Sequence, residues 1–470
     1  MSKRKHELMI DLVGDWPKPS STNRNTLKHF GTSSMNHQLL CRRIGYHRSD
    51  PHFLHELYMK EWTDREIMKL GYSERVQIRS VHHQSVNSLC LDRMNQFLLS
   101  SGRDSIVGLY PVNSYDTLLD ESAMCQKEIK PMAQIKKGEN GNHRTSISSV
   151  IWYPFDTGMF MTSSFDYHVK VWDTQSMTSV TDFNLHSKVY SIDMSGVVGA
   201  GNGHNTLVAC ATDDNSIKLC DLLSGASIQQ LSGHSQRVQC VKWSPTSEYV
   251  LASASDDHTI RLWDVRTSGW LLSMDQFKIH GSKPAKQQTE REENGETKKK
   301  KRKSDNAFST SKAYNYSNEK VPTAHNRSIK SLCFSTNGQY LYSSSNDNKM
   351  MKWVVSTGAN TLFNFPIMNN HTKPCQLICT GGRQSKYIFH ASDTSIQVFN
   401  QENSELLNTL SNHIHYGNIN SMCFDPDRHL LYTAGDDNTI VIWDKPSSSE
   451  ESDRGNEMAV SLQDQDDWSD

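Results

Sequence analysis

Nothing in the 470-residue chain approaches the ~20 consecutive apolar residues that a membrane-spanning helix needs. The opening stretch, MSKRKHELMIDLVGDW, has its apolar run broken by Glu7 and Asp11, so it does not read as a secretory signal. A soluble protein of the cytosol or nucleus, without membrane contact, is expected. Excess charge of one sign is also missing: 50 basic residues face 52 acidic ones. That balance argues against a surface devoted to nucleic acid and leaves room only for local patches. Ten cysteines are present, without framework spacing, and Cys90, Cys210, Cys220, Cys240, Cys333 and Cys423 fall on strand positions. They read as reduced core residues. There is no phosphate-cradling glycine loop, no paired CxxC and no nucleophile elbow. His371, Cys375 and Cys379 stand at HxxxCxxxC spacing, which fits no zinc pattern. The sequence therefore points away from an enzyme and calls for no cofactor or metal.

What the chain does have is strand and turn chemistry. Residues 251–266, LASASDDHTIRLWDVR, read as two short strands around a tight turn. Leu251 to Ser255 alternate as a half-buried strand would. Asp256, Asp257 and His258 make the turn, because an Asp side chain can accept from nearby backbone amides. Ile260, Leu262 and Trp263 form the second strand, and Trp263-Asp264 is the dipeptide that ends a propeller blade. Gly233-His234 lies upstream. His234, Ser253, Asp257 and Trp263 can then join in a buried polar network, which supplies the partners a buried carboxylate needs. Arg266, two residues past the dipeptide, has no part in building the blade.

The unit repeats. Tyr110, Trp172, Cys220, Trp263, Trp353, Phe399 and Trp443 each stand six residues after an Asp: Asp104, Asp166, Asp214, Asp257, Asp347, Asp393 and Asp437. Seven matches at one offset predict seven blades, with a period of about 40–45 residues lengthened by insertions. Four residues before each Asp stand Ser100, Thr162, Cys210, Ser253, Ser343, Phe389 and Thr433. Ahead of each inner strand stand His82, His143, Leu185, His234, His325, His371 and His415, with His186 one place off and His413 competing with His415. Complete tetrads are thus expected at His143, Thr162, Asp166 and Trp172, at His234, Ser253, Asp257 and Trp263, and at His325, Ser343, Asp347 and Trp353. The third blade lacks hydroxyl, aligned imidazole and Trp together, as though the polar network were dropped whole. These histidines read as structural. A strand-like run at Arg75, Val76, Gln77 and Ile78 can close the last blade, leaving no free edge.

Around the ring of blades (74–445) the composition changes. Residues 1–36 are polar and expected to be disordered. Residues 37–73 read as a helix–loop–helix: Leu39, Leu40, Arg42, Arg43 and Ile44 are closed by Gly45. Asp50-Pro51 then caps a second helix with Phe53, Leu54, Leu57, Tyr58 and Trp62 at helical spacing. Its apolar stripe must be covered, on the ring or in a partner's groove. An insertion at 281–323 reads as a disordered basic loop carrying Lys298, Lys299, Lys300, Lys301, Arg302 and Lys303. This run has the composition of a nuclear import signal, and equally of a solvated charge run or a weak nucleic-acid contact. The tail 446–470 is Ser-rich and then acidic.

The repeats resemble WD-repeat propellers. Residues 152–174, WYPFDTGMFMTSSFDYHVKVWDT, together with LCDLLSG at 219–225, the 251–266 blade and the helical segment with Asp50-Pro51, resemble the Cockayne syndrome group A family. That resemblance covers residues 39–445. It implies the substrate receptor of a ubiquitin ligase built on a type-4 cullin and a RING subunit. The partner would be the adaptor damaged-DNA-binding protein 1, and the setting transcription-coupled nucleotide excision repair in the nucleus. It also implies the Cockayne syndrome group B ATPase and RNA polymerase II as clients. On this resemblance, residues 251–266 are the adaptor-binding box. Asp257, Asp264 and Arg266 belong to it, joined by Leu39, Leu40, Arg42, Arg43, Phe53, Leu54 and Leu57 of the helical segment. Trp263-Asp264-Val265-Arg266 is the only Trp-Asp-x-Arg in the chain. The competing reading is a nuclear WD-repeat scaffold in RNA processing or chromatin. Direct contact with DNA is left open.

Overall fold

The computed structural model describes residues 67–73, 75–115, 127–139, 141–197, 206–267, 269–279, 321–367, 376–380, 387–411 and 414–445. The chain divides into two compact units, Met1–Glu61 and Trp62–Asp470, and every described residue lies in the second.

That unit is a seven-bladed β-propeller, as the Asp-to-aromatic spacing requires. Blade 4 shows how the sequence makes a blade. Val238–Trp243 is the innermost strand, followed outward by Val250–Ser255, Ile260–Asp264 and Trp270–Ser273, each antiparallel to the last. The second strand carries small residues for a reason. Leu251, Ala252, Ser253, Ala254 and Ser255 are all fully buried. It is not half-buried, as its alternation suggests; a neighbouring blade covers each of its faces, and only small side chains fit. The cores accordingly lie between blades. Leu219, Val241, Trp243, Leu251 and Trp263 fill the space between blades 3 and 4, and Met161, Val171, Leu185, Val189, Cys210 and Cys220 that between blades 2 and 3.

The turn chemistry is equally regular. The residue after the repeat Asp sits in the left-handed region in six blades: Ser105, Tyr167, Asn215, His258, Asn348 and Asn438. In five of these the Asp makes that conformation tolerable by accepting from the amide one residue further on, as in Ile106 to Asp104 (3.1 Å), Thr259 to Asp257 (3.0 Å) and Lys349 to Asp347 (3.1 Å), whereas Asp214 accepts from the Ser216 hydroxyl (2.7 Å). Blade 6 departs from this: Asp393 itself is left-handed, in a tighter turn between paired Ser392 and Ser395.

Blade 7 is built from both parts of the unit. Ile419–Asp425, Leu430–Gly435 and Ile440–Asp444 are followed outward by Val76–Ile78, so the early strand does close the ring. Two features add to this. Lys127–Ile129, from the insertion after blade 1's third strand, pairs parallel to Val76–Ile78. Gly71–Tyr72 pairs with Asp444 and Trp443. Ile67 and Leu70 are buried against Tyr387, Leu431 and Trp443. The end of the segment assigned above to a helix–loop–helix (37–73) is therefore part of the propeller, because its apolar residues complete the core of blades 6 and 7. Blade 5 gains a parallel outer strand too, Asp275–Ile279 on Ala359–Pro366. The rest of the helical segment, the 1–36 tail, the basic run in 281–323 and the 446–470 tail lie outside the described residues.

Candidate functional site

The polar networks come first, because they fix where each blade's loops stand. In blade 4, His234 Nδ1 meets Asp257 at 2.9 Å and its Nε2 meets the Ser253 hydroxyl at 2.7 Å. The Trp263 indole donates to that same hydroxyl at 2.8 Å. The Asp257 carboxylate also accepts from Ser235 N–H (3.0 Å) and from the Thr259 hydroxyl (2.6 Å). Burial alone would raise its pKa, but the His234 contact and these donors outweigh it and hold the carboxyl well below its usual range. Desolvation lowers the pKa of His234. The same geometry joins His143, Asp166, Thr162 and Trp172, His325, Asp347, Ser343 and Trp353, and His415, Asp437, Thr433 and Trp443. Blade 1 substitutes a tyrosine: His82 joins Asp104 and Ser100, while the Tyr110 hydroxyl accepts from Val81 N–H.

Blade 3 solves the problem differently. Cys210 and Cys220 face each other across the position of hydroxyl and indole, Sγ to Sγ 3.9 Å, next to buried Leu185. Asp214 persists, paired with Lys218 at 2.7 Å, and Lys218 also donates to the Leu185 carbonyl. In blade 6, Phe389 is buried and packs on Phe424 with ring centroids 5.3 Å apart. His371 and Cys375 lie outside the described residues.

Arg266 stands at the opposite end of blade 4 from the His234–Asp257 pair, in the turn after the third strand. Asp264 grips it with both oxygens: Nε donates at 2.9 Å and Nη2 at 2.6 Å, and the Arg266 amide donates to Asp264 at 3.0 Å. The guanidinium lies over the Tyr249 ring at 4.3 Å. The neighbouring Val265 is buried and its amide donates to the Tyr249 carbonyl. The side chain of Arg266 is nonetheless 62% exposed, whereas that of Asp264 is 11% exposed. A long flexible cation is thus held in one posture and still presented outward, which suits an interface anchor. Asp257 is not part of this group. Its side chain is 4% exposed and committed to the internal network, at the end of the blade away from Arg266, so it shapes the blade.

The WD40 family model, "WD domain, G-beta repeat", matches residues 73–110, 137–173, 225–264, 317–353 and 404–444. WD repeat-containing protein ATCSA-1 of Arabidopsis thaliana is 31% identical over 88% of this chain and 96% of its own length. The chain belongs to the WD-repeat family. Shorter similarities include a ribosome biogenesis protein WDR12 homolog of Aedes aegypti, 26% identical over 44% of this chain and 47% of that protein. Radiation-sensitive protein 28 of Saccharomyces cerevisiae is 33% identical over 28% of this chain and 26% of its own length.

The WD-repeat ring has a further feature that the repeat pattern conceals. A central cavity of about 830 Å³ is lined by Cys90, Ile151, Asp193 and Lys242. These are the fifth residues of the inner strands Val86–Leu91, Ile147–Trp152, Val189–Met194 and Val238–Trp243. Asp193 and Lys242 pair across blades 3 and 4 at 3.4 Å, and Asp193 accepts from Trp243 N–H at 2.6 Å. The Asp193 carboxylate raises the Lys242 pKa. Counting along each inner strand from the repeat histidine finds this ring, but nothing in a single strand marks it. Of the residues assigned to adaptor docking, Leu39, Leu40, Arg42, Arg43, Phe53, Leu54 and Leu57 lie outside the described residues, as does the basic run 298–303. Among the described residues no group of three or more His, Cys, Asp or Glu side chains could hold a metal ion, and no helix is long and apolar enough to cross a membrane.

Proposed function

We propose that this chain is the substrate-recognition subunit of a cullin–RING ubiquitin ligase in the nucleus, acting in transcription-coupled nucleotide excision repair. It bridges the damaged-DNA-binding protein 1 adaptor to clients at stalled RNA polymerase II, the Cockayne syndrome group B ATPase among them. It performs no catalysis and needs no cofactor. One observation carries the reading: Arg266, clamped by Asp264 and stacked on Tyr249, stands exposed at the end of the box-bearing blade. Likeness to ATCSA-1 along nearly that protein's whole length supports it. A rigid ring has two ends, so one can hold a ligase hub while the other holds a client.

Arg266→Ala, combined with Phe53→Ser and Leu57→Ser, loses adaptor capture by at least about tenfold in a pull-down, while thermal unfolding stays at the wild-type temperature. Equal capture by wild type and the combined variant overturns the proposal.

A second reading, a scaffold in RNA processing, draws on the likeness to ribosome biogenesis proteins. That likeness covers less than half of either chain. Deleting residues 298–303 and restoring nuclear entry with a foreign import signal separates the two. Rescue fits a receptor whose basic run serves import. Persistent loss together with a salt-dependent RNA affinity fits the scaffold.

A further inference from the structure

The inner-strand ring carries thiols on four consecutive blades: Cys333 on blade 5, Cys379 on blade 6, Cys423 on blade 7 and Cys90 on blade 1. Two of them touch across an inter-blade seam. The backbone amide of Cys379 donates to the Cys333 sulfur at 3.2 Å. The seam is held in register next to them, where Leu377 N–H donates to the Ser331 hydroxyl at 2.9 Å. The two side chains also pack against the same apolar cluster between the blades, and a disulfide there would require β-carbons about 3.5–4.5 Å apart. Both residues are only partly buried.

The two sulfurs are not equivalent. The Cys379 side chain and amide beside it, aided by the Lys242 charge, outweigh burial and pull the Cys333 thiol below its ordinary pKa. Burial pushes Cys379 well above its own. One is therefore suited to attack and the other to resolve. The chain contains its own control. Cys210 and Cys220 also approach, at 3.9 Å, but both are fully buried within blade 3, where no oxidant reaches.

We propose that Cys333 and Cys379 form a peroxide-responsive dithiol that closes to a disulfide between blades 5 and 6. The Cys333 thiolate attacks one oxygen of hydrogen peroxide, the O–O bond breaks, and the departing hydroxide takes a proton to become water. Cys333 is left as a sulfenic acid. Cys379 gives up its proton and attacks the Cys333 sulfur. The S–S bond forms, the S–O bond breaks and a second water leaves. Two thiols lose two electrons and one peroxide gains them.

The test treats the purified full chain with graded hydrogen peroxide, alkylates it with N-ethylmaleimide, and maps unreduced peptides by mass spectrometry. The linked Cys333–Cys379 peptide is expected at peroxide levels that leave Cys210 and Cys220 as free thiols, alkylated only after denaturation. Cys379→Ser leaves a sulfenic acid on Cys333 that dimedone traps. Cys333→Ser lowers the dimedone-trapped product at this pair at least tenfold. If wild-type Cys333 and Cys379 stay freely alkylatable at peroxide levels that oxidise other thiols of the chain, the proposal is overturned. This mapping of the wild-type chain decides even if a variant fails to fold. Undiminished trapping in Cys333→Ser overturns the assignment of the attacking sulfur.

Discussion

Blades 3 and 4 are neighbours with the same strand order and the same repeat Asp, yet their interiors are built on opposite principles. Blade 4 threads a continuous polar chain, from Asp257 through His234 and Ser253 to Trp263, with each member serving the next. Blade 3 puts Leu185, Cys210 and Cys220 at the matching places and turns Asp214 outward to Lys218. The lesson concerns completeness. A buried network is worth keeping only when every donor and acceptor is used, and blade 3 differs from blade 4 at three of its positions rather than one. It also explains how both blades tolerate an Asp: one buries it under four donors, the other keeps it 36% exposed beside an ammonium.

The comparison can be broken most severely at Asp257. Asp257→Ala strips the buried His234 of its partner and the turn of its acceptor, and is expected to cost about 3 kcal/mol, read as a fall in the thermal midpoint. Ser253→Ala is next, at about 2 kcal/mol, because the His234 ring and the Trp263 indole lose a shared partner at once. Re-fitting the network piecemeal into blade 3 should also do harm. Leu185→His alone buries an imidazole against two thiols and is expected to cost about 1–2 kcal/mol, again in the melting temperature. The smallest effect belongs to Lys218→Met. It removes a partly exposed ion pair and shifts stability by about 0.5 kcal/mol; a loss as large as that of Asp257→Ala would mean that blade 3 depends on its Asp as blade 4 does.

Acid sharpens the same contrast. His234 has a folded pKa below its ordinary 6.5, so the unfolded chain takes up the proton first and stability falls as pH drops through that value. The carboxylates follow. Asp166, held at about 2 through its contact with His143 and neighbouring amides, contributes stability above about pH 4 that is lost as pH falls towards 2. His234→Leu should therefore narrow the difference in melting temperature between pH 7 and pH 5, whatever it does to the absolute value. Blade 3, without an aligned imidazole, has no counterpart to that first step.

The ring of blades was legible because its signals are local and repeated. In five blades the Asp six residues before the aromatic accepts from the amide two residues on, and in blade 3 Asp214 accepts from the Ser216 hydroxyl instead, so one spacing marks nearly the same turn each time. The Trp263-Asp264-Val265-Arg266 string stood out in the sequence, but the posture of Arg266 did not. Nothing in the sequence couples Arg266 to Tyr249, which come together only because the turns at either side of the blade's inner strands share one end. Asp257 was drawn into the docking set because it lies inside the same string, although the strand between it and Arg266 carries them to opposite ends. The short parallel strands at Lys127–Ile129 and Asp275–Ile279 were hidden for another reason. Three to five residues hold no periodicity worth reading, and their pairing is decided by what tertiary structure brings alongside. Ile67 and Leu70 look like the end of an amphipathic stretch until the core of blades 6 and 7 is seen to need them.

The seam in blade 7 sets the timetable of assembly. Val76–Ile78 is synthesised well before Ile440–Asp444, against which it zips. Until then the nascent protein is an open fan with a naked strand at each border, vulnerable to pairing with a stranger. Loss of Ile440–Asp444 alone would leave the fan unfastened. Damage to that one strand should therefore behave as loss of the whole propeller rather than of one blade.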